Sequence, residues 1–113
     1  MNIIIAGDGE VGFHLAKLLS SNDHNITIVD PDQELIKMVE SQSEALAITG
    51  DSTSIEVLEQ AKVKKADLLI SVLHDERINI VTSVLAKKLG AKRCIARITN
   101  PEYLTPHNKQ IFK

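Results

Sequence analysis

Aromatic residues are scarce in this chain: Trp is absent, and two Phe and one Tyr make up 3% of the 113 residues. The 43% apolar content is carried instead mainly by Ile, Leu, Val and Ala, the filling of a sheet covered by helices, and is enough for one domain's core. No excess of positive charge is present, since 13 Lys and Arg are scattered among 15 acids for a net charge of -2 and a pI near 6.1. That excludes the basic field a phosphate backbone needs, so nucleic acid is not an expected partner. Long apolar runs are also missing. The longest span about five residues, against roughly 20 needed to cross a bilayer, and no basic segment precedes the first of them. Cysteine is limited to Cys94, which can form no internal disulfide and is expected to pack as a small hydrophobe. A soluble chain in a reducing compartment, the cytoplasm, is the expectation.

What is present is a regular alternation. Short β-branched runs at Ile3-Ala6, Ile26-Val29, Ala45-Ile48, Leu68-Val72 and Cys94-Ile98 begin 19 to 26 residues apart. Helical-period segments separate them: Val11, Leu15, Leu18 and Leu19 share one face, Leu35, Met38 and Val39 a second, Ile78, Val81 and Leu85 a third. Thr53 with Glu56 reads as a capping box, and Gly90 closes a helix expected over 76–89. Five strands joined by crossovers imply a parallel sheet with helices on both faces, an α/β doubly wound Rossmann-type architecture.

The stretch Ala6-Gly-Asp-Gly-Glu-Val-Gly12 holds three glycines at the spacing G-x-G-x-x-G, directly after the first strand and opening a helix. In that context Gly7 makes the tight turn, Gly9 admits a pyrophosphate against the backbone, and Gly12 lets helix and strand pack closely. The anion would rest on free N–H groups at the helix start. Asp30 follows 18 residues after Gly12, close to the usual offset of about 20 for the acid that accepts from the adenosine ribose hydroxyls. With Pro31 after it and Gln33 at the capping-box position, Asp30 also reads as a helix N-cap, a role compatible with the first. As a ribose acid it would repel a 2'-phosphate, so NAD(H) is expected over NADP(H).

Further candidates follow the later strands. Asp51 and Ser52 are placed to reach an adenine edge or to cap a helix; His74 and Asp75 to meet the adenosine and inner ribose, or, for Asp75, to cap the next helix. Arg97, a charge within an apolar run, has a phosphate, a carboxylate or solvent as its candidate partners. His14, His24, His74 and His107 have no metal-ligand spacing, and no catalytic constellation emerges.

Four segments carry a family resemblance: 1–20, 26–36, 48–72 and 95–103. The most specific is Gly50-Asp-Ser-Thr53 followed by Leu58, Ala61, Val63, Ala66 and Asp67. Together they resemble the N-terminal nucleotide-binding domain of TrkA, the regulatory subunit of bacterial Trk potassium uptake systems, also called the KTN or RCK N-domain. The resemblance implies a non-enzymatic cytosolic domain that binds NAD(H), with ATP/ADP as the other nucleotide. It would act as a homodimer or homotetramer, peripheral on the inner membrane face, on a potassium-translocating subunit of the TrkH/TrkG kind. Residue by residue it assigns Gly7, Gly9 and Gly12 to the phosphate loop, with backbone contacts from Asp8, Glu10 and Val11. Asp30 becomes the ribose acid, Asp51 and Ser52 the adenine-side turn, and Arg97 the arginine after the fifth strand. Leu73 stands where the family has a small hydroxyl residue, and Asp75-Glu76 lies one place early relative to Asn79. The whole of 1–113 is expected to be one Rossmann-like domain, a fragment of a longer subunit, with 100–113 starting a hinge or crossover helix. The cofactor domain of a small NAD-dependent oxidoreductase is the alternative class.

Overall fold

The computed structural model describes residues 1–7, 9–20, 23–100 and 102; of Glu10 and Ser20 it describes the backbone. Five strands, β1 (Asn2–Ala6), β2 (Asn25–Asp30), β3 (Leu46–Thr49), β4 (Leu68–Ser71) and β5 (Arg93–Ala96), form one parallel sheet in the order β3-β2-β1-β4-β5. Helices α1 (Glu10–Ser20) and α2 (Gln33–Gln42) make the first two crossovers. α3 (Ile55–Gln60), a 3-10 turn (Val63–Lys65) and α4 (Glu76–Leu89) make the others. Since parallel neighbours are joined by right-handed crossovers, the chain that steps one way from β1 and then the other lays its helices on opposite faces. The expected doubly wound Rossmann-type sheet is the one observed.

Alternation along β1 shows how the core divides. Ile3 and Ile5 join Phe13, Ala16, Ile26, Ile28, Leu35, Ile36 and Val39 beneath α1 and α2; Ile4 joins Val29, Leu58, Val63, Leu69 and Ala86 on the other side. Successive strand side chains point to opposite faces, so a run of three isoleucines feeds both cores. Ile5, Ile28, Leu58 and Leu69 are completely buried, each contributing about 1.5–3 kcal/mol relative to an exposed position.

Two expected helical faces require correction. On α1, Val11 and Leu18 are exposed, and the helix instead buries Gly12, Phe13 and Ala16, with Leu15 and Leu19 at the margin. The reason is a backbone contact: a Cβ on Gly12 would lie 2.9 Å from the Gly7 Cα, so this approach fixes which side of α1 meets the sheet. On α4, Val81 is exposed and the inward stripe is Asn79, Thr82 and Ala86. Here buried hydrogen bonds, not methyl groups, set the rotation. On α2, Leu35 and Val39 of the expected face are buried and Met38 is half-buried against the same core, with Ile36 buried beside them. Among the described residues no helix is long and apolar enough to cross a membrane. The segment 100–113 lies outside the described residues apart from Asn100 and Glu102.

Candidate functional site

The strand register brings the sites singled out in the sequence to one end of the sheet. Thr49 pairs with Asp30, Val29 with Ala6, Ala6 with Ser71 and Ser71 with Ala96, so all five strands end in one row. The chain turns to opposite faces after β1 and after β4, which opens a crevice between those two neighbours. Gly7 and Gly9 stand on one bank, Leu73, His74 and Asp75 on the other.

The glycine loop is held from below. Gly7 N–H donates to the Val29 carbonyl at 3.1 Å, Phe13 N–H to that of Gly9 at 3.2 Å, and the backbones of Gly7 and Gly12 touch. Gly9 has φ +53°, and nothing lies within 4 Å of the position its Cβ would occupy. That open space over a turn leading into α1 is what close approach of a phosphate requires. Asp8 lies outside the described residues, as does the Glu10 side chain; Val11 is exposed beside the loop.

Asp30 is 4% exposed at the end of β2. Its Oδ1 accepts from Asp32 N–H at 2.8 Å, and its Oδ2 accepts from Gly9 N–H at a long 3.4 Å. The carboxylate therefore braces the glycine loop from the neighbouring strand. It is not the α2 N-cap: that role belongs to Asp32, whose Oδ1 accepts from Glu34 and Leu35 N–H. The cap thus lies two residues on, and the Asp30 carboxylate stays against the glycine loop.

The turn after β3 is also tied differently from a capping box at Thr53. Ser54 caps α3 through Val57 N–H, while Asp51 Oδ1 accepts from the N–H and the hydroxyl of Thr53 at 2.8 and 2.7 Å. Those bonds hold the Asp51 carboxyl below its ordinary range. Ser52 is buried, its Oγ 2.8 Å from Thr82 Oγ1, so its hydroxyl faces α4. Gly50 N–H donates to the Asp30 carbonyl at 3.0 Å and keeps this turn beside the end of β2.

Across the crevice, Asp75 caps α4 through Arg77 N–H and pairs with the Arg77 guanidinium at 3.0 Å, which lowers its pKa. His74 is exposed in the preceding turn. Arg97 lies just beyond β5, its N–H donating to the Ser71 carbonyl at 2.9 Å; among the described residues its guanidinium has no ion-pair partner. No three His, Cys, Asp or Glu side chains among the described residues come together as metal ligands.

Four residues received no role in the sequence reading: Ser71 and Thr82, and Glu76 and Asn79, which it named only for their spacing. Asn79 is fully buried and bonds Ser71, both backbone groups of Leu73 and the Arg97 carbonyl. Glu76 accepts from Thr99 and Asn100. A polar pair at Asn79 and Thr82 with helical spacing, inside an otherwise apolar segment, was the available signal.

A parallel doubly wound sheet with a glycine turn after β1 and an acid ending β2 defines a domain of the Rossmann nucleotide-binding fold. More particularly, the chain belongs to the TrkA-N domain family, whose model matches residues 3–112. It is 40% identical over 104 residues to a Trk system potassium uptake protein TrkA homolog of Archaeoglobus fulgidus, covering 92% of this chain and 23% of that protein. A homolog of the same description from Methanothermobacter thermautotrophicus is 31% identical, over 91% of this chain and 48% of that one. The chain thus spans about a quarter to a half of these relatives. Among solved structures, the Kef C-terminal domain of Shewanella denitrificans in an AMP-bound form is similar at a TM-score of 0.74, with 27% identity over 92% of this chain and 65% of that one.

Proposed function

We propose that this chain is the nucleotide-sensing domain of a regulatory subunit that controls a membrane potassium transport system, with NAD(H) as its ligand. The observation that carries the reading is Asp30: buried, held against the Gly9 amide, and aimed at the place where a ribose would lie beside a pyrophosphate on the glycine loop. Gly7, Gly9 and Gly12 shape the anion cradle, with backbone contacts from Asp8, Glu10 and Val11. Asp51 flanks the adenine, and Arg97 offers a cation to the second phosphate or the inner ribose. Ser52 supports the turn through Thr82, and His74 and Asp75 form the opposite lip. The domain is a binding module and not an enzyme. It works within a longer cytoplasmic subunit, as a homodimer or homotetramer held to the membrane by a potassium-translocating partner of the TrkH/TrkG kind.

Regulation is a population shift: a nucleotide that binds two arrangements of the subunit unequally moves the equilibrium between them, whereas one that binds both equally moves nothing. A second reading, an adenine-nucleotide sensor answering to AMP, ADP or ATP, is favoured by the AMP-bound form of the Kef domain.

Titration calorimetry with NADH, NAD+, ATP, ADP and AMP tests both. Loss of hydrogen bonds to a charged acceptor is worth about 1.5–3 kcal/mol, so Asp30→Ala should weaken NADH binding by about ten- to a hundredfold. Because Asp30 also braces the loop, Asp30→Asn is the companion variant, and circular dichroism checks the fold. Unchanged NADH affinity in both removes Asp30 from the site. Tighter binding of ATP, ADP or AMP than of either dinucleotide establishes the second reading.

A further inference from the structure

The far bank of the β1–β4 crevice has a rigid frame of its own. Glu76 Oε2 accepts three hydrogen bonds, from Thr99 N–H at 2.6 Å, the Thr99 hydroxyl at 2.7 Å and Asn100 N–H at 2.7 Å. Three residues on, Asn79 is fully buried. Its Oδ1 accepts from Ser71 Oγ and Leu73 N–H, both at 2.8 Å, and its Nδ2 donates to the carbonyls of Leu73 at 2.8 Å and Arg97 at 3.0 Å. Residues three apart on a helix project to the same side, so both reach one corner from the first turns of α4. The segments they seize are the two that leave the sheet after β4 and after β5.

These bonds do nothing for the glycine loop, which is held by the Gly7–Gly12 contact and by Asp30. The two banks of the crevice are thus braced by different side chains, and they meet through the Val72 N–H, which donates to the Ala6 carbonyl at 2.9 Å. Arg97 and His74 ride on the α4-held bank, and both are exposed. Segments ordered in advance need not be ordered by a ligand, which removes an entropic cost from whatever binds them. A mononucleotide on the glycine loop and Asp30 gains nothing from that ordering, whereas a dinucleotide that crosses the crevice does.

We propose that Glu76 and Asn79 are positioning residues that hold 71–73 and 97–100 as a preformed wall for the second half of a dinucleotide, and thereby set the preference for NAD(H) over AMP. This rests on the nucleotide-binding reading above. A purely structural role would lower stability and weaken every ligand alike. A positioning role for one half of the site weakens the dinucleotide selectively.

The test is parallel titration of NADH and AMP against the wild-type chain, Glu76→Ala and Glu76→Gln, with melting temperature as the structural control. Glu76 lies at the helix surface, so its removal spares both cores. The expected result is a tighter grip on NADH than on AMP in the wild type and a loss of about tenfold for NADH in Glu76→Ala, with AMP within about twofold. Partial recovery is expected in Glu76→Gln, which keeps an acceptor oxygen. Should Glu76→Ala fail to fold, Thr99→Val removes one donor to the same oxygen and should shift the NADH:AMP ratio in the same direction by a smaller factor. Equal losses for both ligands, or none, overturn the positioning role and leave the nucleotide site standing. A wild-type chain that binds AMP as well as NADH also overturns it. Failure of the wild type to bind either ligand overturns both readings together.

Discussion

Lys62 occupies the left-handed region at φ 61°, ψ 46°, directly after the residue that closes α3. An L side chain there pays about 1–2 kcal/mol for the crowding of Cβ against the carbonyl, while glycine adopts the conformation freely but loses roughly 0.5–1 kcal/mol more backbone entropy on folding. The difference favours glycine. Lys62→Gly should raise stability by about 0.5 kcal/mol, seen as a melting temperature higher by roughly 2–3 °C. A decrease would mean that the exposed lysine stem contributes packing that outweighs the backbone strain. The same reasoning at Gly12 runs the other way: its backbone meets that of Gly7, so even an alanine must push helix and strand apart.

At the scale of elements, α4 joins the ends of β3, β4 and β5. Thr82 reaches Ser52 beyond β3, Asn79 reaches Ser71 and Leu73 on β4, and Glu76 reaches Thr99 beyond β5. This corner depends on pH through its carboxylates. The hydroxyl and amides of Thr99 and Asn100 pull the Glu76 pKa down, as Thr53 does for Asp51. A folded-state pKa below the unfolded one contributes stability that is complete above the unfolded value, about 4, and is lost as pH falls through the folded value. The clamp should therefore persist across neutral and mildly acidic pH and release only below about pH 4. Carbon-detected NMR titration of the side-chain carboxyls checks this directly, with Glu76 expected below the ordinary glutamate value of about 4.3. A Glu76 carboxyl titrating at or above that value would show that the three hydrogen bonds are not maintained in solution.

For the molecule as a whole, function reduces to one free energy. A ligand that binds only the folded chain stabilises it by about 2.7 kcal/mol when present at a hundred times its dissociation constant. For a domain of this size that corresponds to a melting temperature raised by roughly 10 °C. Differential scanning fluorimetry with NADH should show that rise, and Asp30→Ala should remove about half of it or more at the same NADH concentration. A wild-type chain with an unshifted melting temperature would mean that the crevice binds no NADH at that concentration. Asp30 and the glycines brace one bank and α4 the other, so a ligand touching both would strengthen the coupling between them.

Strand periodicity and the glycine spacing were enough to derive the parallel sheet and the hand of its crossovers, because each reflects a local rule: β-branched runs extend, glycine turns, and crossovers are right-handed. Caps were legible to within two residues, since several Asp, Ser and Thr compete at each helix start, and only packing selected Asp32 and Ser54. The inward faces of α1 and α4 were decided by tertiary contacts. A Gly7–Gly12 approach rotates α1, and buried hydrogen bonds from Asn79 and Thr82 rotate α4 against the apolar pattern of its own sequence. Hydrophobic periodicity records how much of a helix is apolar, but a satisfied buried polar group carries the same inward orientation without leaving that mark.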